Sequence, residues 1–235
     1  MVKQFLKSTG VQGIPQGSPL SPLLANLALN DLDRLLDRGS GYITYARYLD
    51  DMVVLAPDSA KGKAWADRAL PRIRSEAEAS GVSLNTDKTR IVTITDERAV
   101  FAFLGFEFRW VPSTKTGRWY PCVTPRPKKI TLLLGRSGTP PGDPALARAA
   151  AVAQVNPILR GWVNYFRVGN SSQAFHKVAY HVERKARRFA AKQRKRTGFG
   201  WKRWSSDIVY RTWGLFRDYR LVYASANART GRAEA

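Results

Sequence analysis

The spacing of apolar positions predicts helices in the first part of the chain. A first helix should begin at Ser21-Pro22, where a capping hydroxyl precedes a proline, and should end at Gly39. Its apolar residues recur every three or four positions: Leu24, Ala28, Leu32 and Leu35. A second helix is predicted over 59–80, kinked or interrupted at Pro71 and ended by Gly81, with an apolar face formed by Trp65, Ala69, Ile73 and Ala77.

Strands are predicted where β-branched and aromatic residues cluster. The stretch YITYARYLDDMVVLA (42–56) should form two strands, and IVTIT (91–95) should form another. FAFLGFEF (101–108) should form a strand that Gly105 breaks or bends. Prolines and glycines concentrate in 111–144, which predicts a linker, and helical apolar stripes follow it. The predicted fold class is therefore α+β, followed by a helical bundle.

Charge divides the chain into two unlike parts. The 235 residues carry a net charge of +21, with a pI near 10.6. Up to Glu107, 13 Lys and Arg balance 13 Asp and Glu, whereas 26 Lys and Arg face 5 acids from Phe108 onward. A polycation of this kind needs a polyanionic partner such as nucleic acid.

Other classes of protein are disfavoured by composition. A single cysteine, Cys122, excludes an internal disulfide framework and a multi-cysteine zinc module. No apolar run approaches the ~20 residues that span a bilayer, and the N-terminus lacks the apolar core of a secretory signal. We therefore expect a cytoplasmic protein without a membrane partner.

Asp50 and Asp51 interrupt the apolar stretch 42–56 and have two interpretations. One is a solvated hairpin turn, because aspartate is a common turn residue. The other is a site for a hard cation such as Mg²⁺, which binds carboxylate and phosphate oxygens and offsets the cost of placing two like charges together. Such sites serve phosphoryl or nucleotidyl transfer.

The surrounding motifs favour the second interpretation. PQGSPLSPLLAN (15–26), YLDD (48–51), NTDKT (85–89) and FLGF (103–106) follow one another in an order that resembles the palm of group II intron-encoded reverse transcriptases. Leu49 stands where most of these relatives carry alanine. The resemblance implies an RNA-directed DNA polymerase with a two-metal Mg²⁺ site and a DNA or RNA primer-template as substrate.

The same resemblance implies roles for individual residues. Asp50 and Asp51 would be the catalytic metal ligands. Gln16, Gly17 and Lys88 would contact the incoming nucleotide, although Lys88 is equally well explained as a solvated lysine. Phe103, Leu104, Gly105 and Phe106 would bind the primer strand.

Residues 1–30 contain no Asp or Glu, whereas this family uses a further aspartate before the PQG motif. We therefore expect a chain that is N-terminally truncated and has little polymerase activity alone, unless a dimer or a separate N-terminal piece completes it.

The basic half resembles the maturase domain, or domain X, of the same family. NPILRGWVNYFR (156–167) is similar to its opening, and the likeness continues to residue 221. The domains implied are a partial palm (1–110), a linker (111–144) and an all-α thumb and maturase bundle (145–235). A solubilising helix face is the plain alternative for the basic run, but its interleaved aromatic residues favour binding to group II intron RNA. The predicted RNA-binding residues are Arg184, Lys185, Arg187, Arg188, Arg194, Lys195, Arg196, Lys202 and Arg203.

A non-enzymatic interpretation stays open beside the polymerase. In that case the palm would be only a scaffold or a decayed fragment, and the chain would act as an RNA-binding splicing factor through its basic half. The two interpretations differ on whether the carboxylates bind metal.

Overall fold

The computed structural model describes residues 20–38, 42–96, 99–135 and 144–222, with side chains from Ala147 onward in the last range. The chain divides into two compact units, Met1–Asp96 and Glu97–Ala235, which are described separately. Helices occur together with small antiparallel sheets in this structure, which confirms the predicted α+β class.

Among its described residues, the first unit contains a two-stranded hairpin and three helices: α1 (Ser21–Ala28), α2 (Asn30–Asp37), β1 (Thr44–Tyr48), β2 (Asp51–Leu55) and α3 (Ala60–Ala79). The single helix predicted after Ser21 is two helices, because Leu29 between them leaves the helical conformation. The core of the unit is formed by Leu29, Leu32, Leu36, Ile43, Ala69 and Ile73.

Helix α3 follows the predicted pattern closely. The Ser59 side chain accepts a hydrogen bond from the Gly62 N–H at 3.1 Å and so caps its first turn. Ala69, Ile73 and Ala77 are buried as predicted, and the helix continues through the exposed Pro71. Just beyond its end, Gly81 adopts a φ of +74°, a conformation that favours glycine.

The prediction of a strand over 91–95 is wrong. This segment pairs with none of the described strands, and at its end the Thr95 hydroxyl donates to Asp58 Oδ2 at 2.9 Å. Its β-branched residues favour an extended backbone, but a strand also requires a partner.

The second unit holds a three-stranded antiparallel sheet and the basic helices. Its elements are β3 (Val100–Phe103), β4 (Phe106–Pro112), β5 (Trp119–Pro125), α4 (Pro127–Gly135), α5 (Pro144–Phe166), α6 (Ser172–Gln193) and a π-helical turn (Ile208–Thr212). The sheet has the order β3-β4-β5. Two buried clusters join its helices, one around Leu159, Val178 and Val209 and one around Val163, Phe166 and Phe175.

The predicted linker 111–144 contains strand β5 and helix α4. Pro121 and Pro125 are tolerated in β5 because it is an edge strand that pairs only with β4. The two compact units part at Asp96, upstream of this stretch. The assignment of functional domains to 1–110, 111–144 and 145–235 stays a prediction. No helix in the described ranges is both long and apolar enough to cross a bilayer.

Candidate active site and nucleic-acid interface

The two adjacent aspartates lie at the tip of the β1–β2 hairpin. Tyr48 pairs with Asp51 across the ladder, so Leu49 and Asp50 form a two-residue loop. Leu49 has a φ of +57°. This left-handed conformation costs a residue with a side chain roughly 1–2 kcal/mol, and such strain often marks a functional site.

Both carboxylates at the tip are available to an external ligand. Asp50 and Asp51 are exposed, and neither forms a hydrogen bond or an ion pair with another described residue. Within the ranges that the structure describes, no group of three or more acidic, histidine or cysteine side chains could hold a metal ion. The hairpin therefore presents a pair of charged oxygen donors at one point.

Lys88 lies in an exposed turn stabilised by Asn85. The Asn85 side-chain oxygen accepts hydrogen bonds from the backbone N–H groups of Asp87 and Lys88, each at 3.1 Å. The Lys88 ammonium forms no ion pair with the described residues. Gln16 and Gly17 lie outside the described residues, so the predicted nucleotide-binding set stays a prediction.

The predicted primer-binding segment 103–106 is the turn of the β3–β4 hairpin. Its loop residues Leu104 and Gly105 have φ values of +48° and +82°, the signs of a type I′ turn. The Tyr165 hydroxyl on α5 donates to the Leu104 carbonyl at 2.8 Å. The Phe106 ring lies 5.6 Å from Tyr165 and 4.8 Å from Phe166. Helix α5 therefore holds this hairpin through a hydrogen bond and aromatic contacts.

The predicted RNA-binding residues lie on α6 and the segment that follows it. Arg184 is half-buried, with its guanidinium 4.4 Å from the Phe199 ring, and Lys185 donates to the Leu134 carbonyl. Seven of the nine predicted side chains are exposed: Lys185, Arg188, Arg194, Lys195, Arg196, Lys202 and Arg203. This surface is suited to phosphate groups.

Helix α6 ends in the middle of the basic run, at Gln193. The Arg196 N–H donates to the Ala191 carbonyl at 3.0 Å and the Lys195 N–H to the Lys192 carbonyl at 2.9 Å, the two hydrogen bonds of a Schellman motif. Lys195 occupies the left-handed position of this motif, with a φ of +53°, where glycine is preferred. A lysine thus stands where the backbone favours a residue without a side chain.

Arg187 does not belong to the accessible surface. Its side chain is 2% exposed and forms an ion pair with Glu183. Its guanidinium also donates to the Ser206 hydroxyl at 3.1 Å and lies 4.0 Å from the centre of the Trp201 ring. Burial among these partners explains why Arg187 cannot contact a nucleic acid, and we remove it from the predicted RNA-binding set.

The aromatic residues near the basic run differ in accessibility. Trp204 is buried, whereas Trp201 is 45% exposed. Trp201 stacks with Tyr180, a residue that the sequence did not single out, at 6.2 Å between ring centres. An exposed stacked pair beside cations is a surface on which an unpaired base can stack.

Two residues that the sequence analysis missed hold the two hairpins. One is Tyr165, and the other is Arg47, which donates to the Leu49 carbonyl at 2.9 Å. The position of Arg47 in β1 could have indicated its role. Arg47 is two residues from Tyr45 in the strand, so both lie on the face that packs against the core. An arginine on such a face requires an acidic partner.

Comparison with known families matches both halves of the chain. Residues 3–108 match the family described as reverse transcriptase (RNA-dependent DNA polymerase), and residues 144–206 match the group II intron, maturase-specific domain. The chain belongs to the group II intron reverse transcriptase/maturase family. No curated protein matches it.

The two family matches cover the predicted active-site hairpins and the basic helices, respectively. The reverse transcriptase match contains the Asp50–Asp51 hairpin and the 103–106 turn, and the maturase-specific match contains α5 and α6. The combination identifies a group II intron reverse transcriptase with a maturase domain, and it implies intron RNA and nucleic-acid substrates.

Reverse transcriptases generally use Mg²⁺, and the donors on the β1–β2 hairpin fit that ion. Mg²⁺ is commonly held by one or two carboxylates together with substrate phosphates and water. Asp50 and Asp51 supply two carboxylates that are exposed and have no partner among the described residues. These two carboxylates fit such a site in part, because the resemblance to the family implies a further aspartate that is not among them.

Proposed function

We propose that the Asp50–Asp51 tip is the metal-binding part of the active site for RNA-directed DNA synthesis. The observation that carries the proposal is a pair of exposed carboxylates that have no partner among the described residues, at the tip of a hairpin with a strained two-residue loop inside the reverse transcriptase match. Mg²⁺ bound there would stabilise the attacking and leaving oxygens of nucleotidyl transfer. Asp50 and Asp51 would supply the negative charge that retains the ion.

Other residues would position the substrates of this reaction. Gln16 and Gly17 would line the pocket for the incoming nucleotide, and the exposed ammonium of Lys88 would contact its phosphates. The 103–106 turn would contact the primer strand, because two left-handed residues and the Tyr165 hydroxyl give it a fixed shape. Helices α5 and α6 would form the thumb. Dimerisation and complementation by a separate N-terminal piece stay predictions.

The second half of the proposal concerns group II intron RNA. The exposed cations around the end of α6 would bind its phosphates, and the Tyr180–Trp201 pair would stack on an unpaired base. Lys195 supports this role, because a lysine stands at a left-handed position where glycine would have the lower conformational energy. Such a protein would act inside the cell, where intron RNA is made.

The metal role is tested by Mg²⁺-dependent primer extension on an RNA template. The assay should use single-turnover conditions with protein in excess, so that slow extension can be measured. Asp50→Asn removes a charged ligand and should lower extension at least about a hundredfold, as loss of one strong electrostatic group does. Asp67→Asn makes the same charge change at an exposed position of α3 and should extend normally. Equal rates for the two variants would contradict the proposal.

The RNA role is tested by Lys195→Gly, a change with opposite expected effects on stability and on binding. Glycine suits the left-handed position, so the free energy of unfolding should rise by roughly 0.5–1 kcal/mol. Loss of one phosphate contact should weaken intron RNA binding and reduce its salt slope by about 0.7–0.9. Lys115→Gly, at an exposed turn position, is the control for charge loss. Unchanged RNA affinity in the more stable Lys195→Gly protein would contradict the role.

A further inference from the structure

The loop that carries Asp50 is held in an unfavourable backbone conformation. Leu49 has a φ of +57°, and a leucine adopts this region only when its surroundings impose it. Two-residue hairpin loops favour turns with a positive φ at the first loop position, where glycine, asparagine and aspartate are the preferred residues. A leucine at this position is strained, and contacts that hold its carbonyl help to offset the strain.

Arg47 makes that contact from the neighbouring strand. Its Nη1 donates to the Leu49 carbonyl at 2.9 Å and to Asn26 Oδ1 at 3.1 Å. Its Nε donates to Asp33 Oδ1 at 2.8 Å, and its Nη2 pairs with Asp33 Oδ2. One guanidinium thus joins the strained loop to α1 through Asn26 and to α2 through Asp33.

The chemistry of this contact is specific to arginine. The Arg47 side chain is 8% exposed, so its charge must be paired, and the two-point contact with Asp33 satisfies that requirement. Hydrogen bonding to Asp33 also raises the pKa of Arg47 above its ordinary value. A lysine has one ammonium at the end of a flexible stem and cannot reach all three partners in a fixed plane.

We infer that Arg47 is a positioning residue: it holds Leu49 in its left-handed conformation and fixes Asp50 and Asp51 in the arrangement that binds the metal ion. Asn26 takes part in the same contact, which gives this residue of the SPLLAN segment a structural role. The inference rests on the proposed metal role of the two aspartates.

The test measures Mn²⁺ affinity by electron paramagnetic resonance and backbone hydrogen exchange in the same proteins. Arg47→Lys should weaken Mn²⁺ binding by roughly 10–100-fold, as loss of a residue that orients metal ligands does. It should also speed exchange at the loop, while the amides of α3 stay protected. Arg34→Lys is the matched control, because Arg34 lies on α2 with a 71% exposed side chain and should behave as wild type.

A rescue separates positioning from general stability. Leu49→Gly removes the side chain that makes the left-handed conformation costly. In the Arg47→Lys background it should restore slow exchange in the loop and recover much of the lost Mn²⁺ affinity. Rescue would not follow if Arg47 acted only by stabilising the unit as a whole. Asn26→Ala removes one contact, leaves the Asp33 pair and should give a smaller loss of affinity, which keeps the test informative if Arg47→Lys fails to fold.

The Asp50→Asn/Asp51→Asn double variant distinguishes failure of this inference from failure of the proposed function. If it binds Mn²⁺ as wild type does, the metal role itself is wrong. If it loses Mn²⁺ while the folded Arg47→Lys and Asn26→Ala proteins keep wild-type affinity and loop exchange, the positioning role is overturned and the metal site stands. Loss in all of these variants, with rescue by Leu49→Gly, supports both.

Discussion

The β1–β2 and β3–β4 hairpins have loops of the same length that are held by different chemistry. Each loop begins with a left-handed leucine, Leu49 in one and Leu104 in the other. In each, a side chain donates to the carbonyl of that leucine: Arg47 at 2.9 Å and the Tyr165 hydroxyl at 2.8 Å. The donor to the first loop is a charged guanidinium, and the donor to the second is the neutral hydroxyl of an aromatic residue on α5.

The two hairpins differ in the residue at the second loop position. Gly105 has a φ of +82°, which glycine adopts without penalty. Asp50 is charged, exposed and next to Asp51, and neither carboxylate has a partner among the described residues. The β3–β4 turn is therefore optimised for its conformation. The β1–β2 hairpin instead carries two adjacent exposed carboxylates at its tip, which fits the metal-binding role that we propose for it.

Substitution by alanine at the second loop position should show the largest difference between the hairpins. Gly105→Ala should lower the free energy of unfolding by roughly 1–2 kcal/mol, because alanine is disfavoured at this φ. Asp50→Ala should change it by less than about 0.5 kcal/mol, since it removes an exposed charge that has no partner in the described part of the chain. Urea denaturation of both variants measures the difference.

A second glycine separates backbone strain from crowding at Gly105. A Cβ on Gly105 would lie 3.2 Å from Lys129 Cε, whereas one on Gly117, which has a φ of +66°, would meet nothing within 4 Å. Gly117→Ala should therefore show the backbone penalty alone, and Gly105→Ala should exceed it slightly. A destabilisation by Asp50→Ala as large as that by Gly105→Ala would contradict the comparison.

A smaller effect is expected when the hydroxyl that holds the second loop is removed. Tyr165→Phe loses the hydrogen bond to Leu104 but keeps the ring contact with Phe106, so it should cost about 0.5–1 kcal/mol. Hydrogen exchange should quicken at the β3–β4 turn. Tyr180→Phe is the control, because the Tyr180 hydroxyl bonds to no described residue. Identical exchange in the two variants would show that the Tyr165 hydroxyl does not hold the loop.

Local patterns predicted the elements whose stabilising contacts are close in sequence. The buried face of α3 and the first hairpin followed from helical spacing and strand composition. The stretch 101–108 was predicted as one strand broken or bent at Gly105, and in the structure Gly105 lies in the turn between two strands. The helix break at Leu29 and strand β5 were missed, the latter because its prolines resembled a linker while its position at the sheet edge made them harmless.

Tertiary partners explain what the sequence left out of the site. Arg187 was placed on the RNA surface because it lies in a run of cations, yet Glu183 and Trp201 bury it. Arg47 was overlooked because its partner Asp33 lies 14 residues away, on another element. In both cases the residue type was visible, and only the fold determined which charge is structural and which is free.

Site-directed backbone cleavage by iron tests the central claim most directly. Fe²⁺ that replaces Mg²⁺ generates hydroxyl radicals in the presence of peroxide and ascorbate, and mass spectrometry maps the cuts. If the tip of the β1–β2 hairpin binds the metal, cuts should cluster between Tyr48 and Met52, fade as Mg²⁺ is added and disappear in the Asp50→Asn/Asp51→Asn protein. Cuts spread along the chain, or unaffected by that double substitution, would contradict the account.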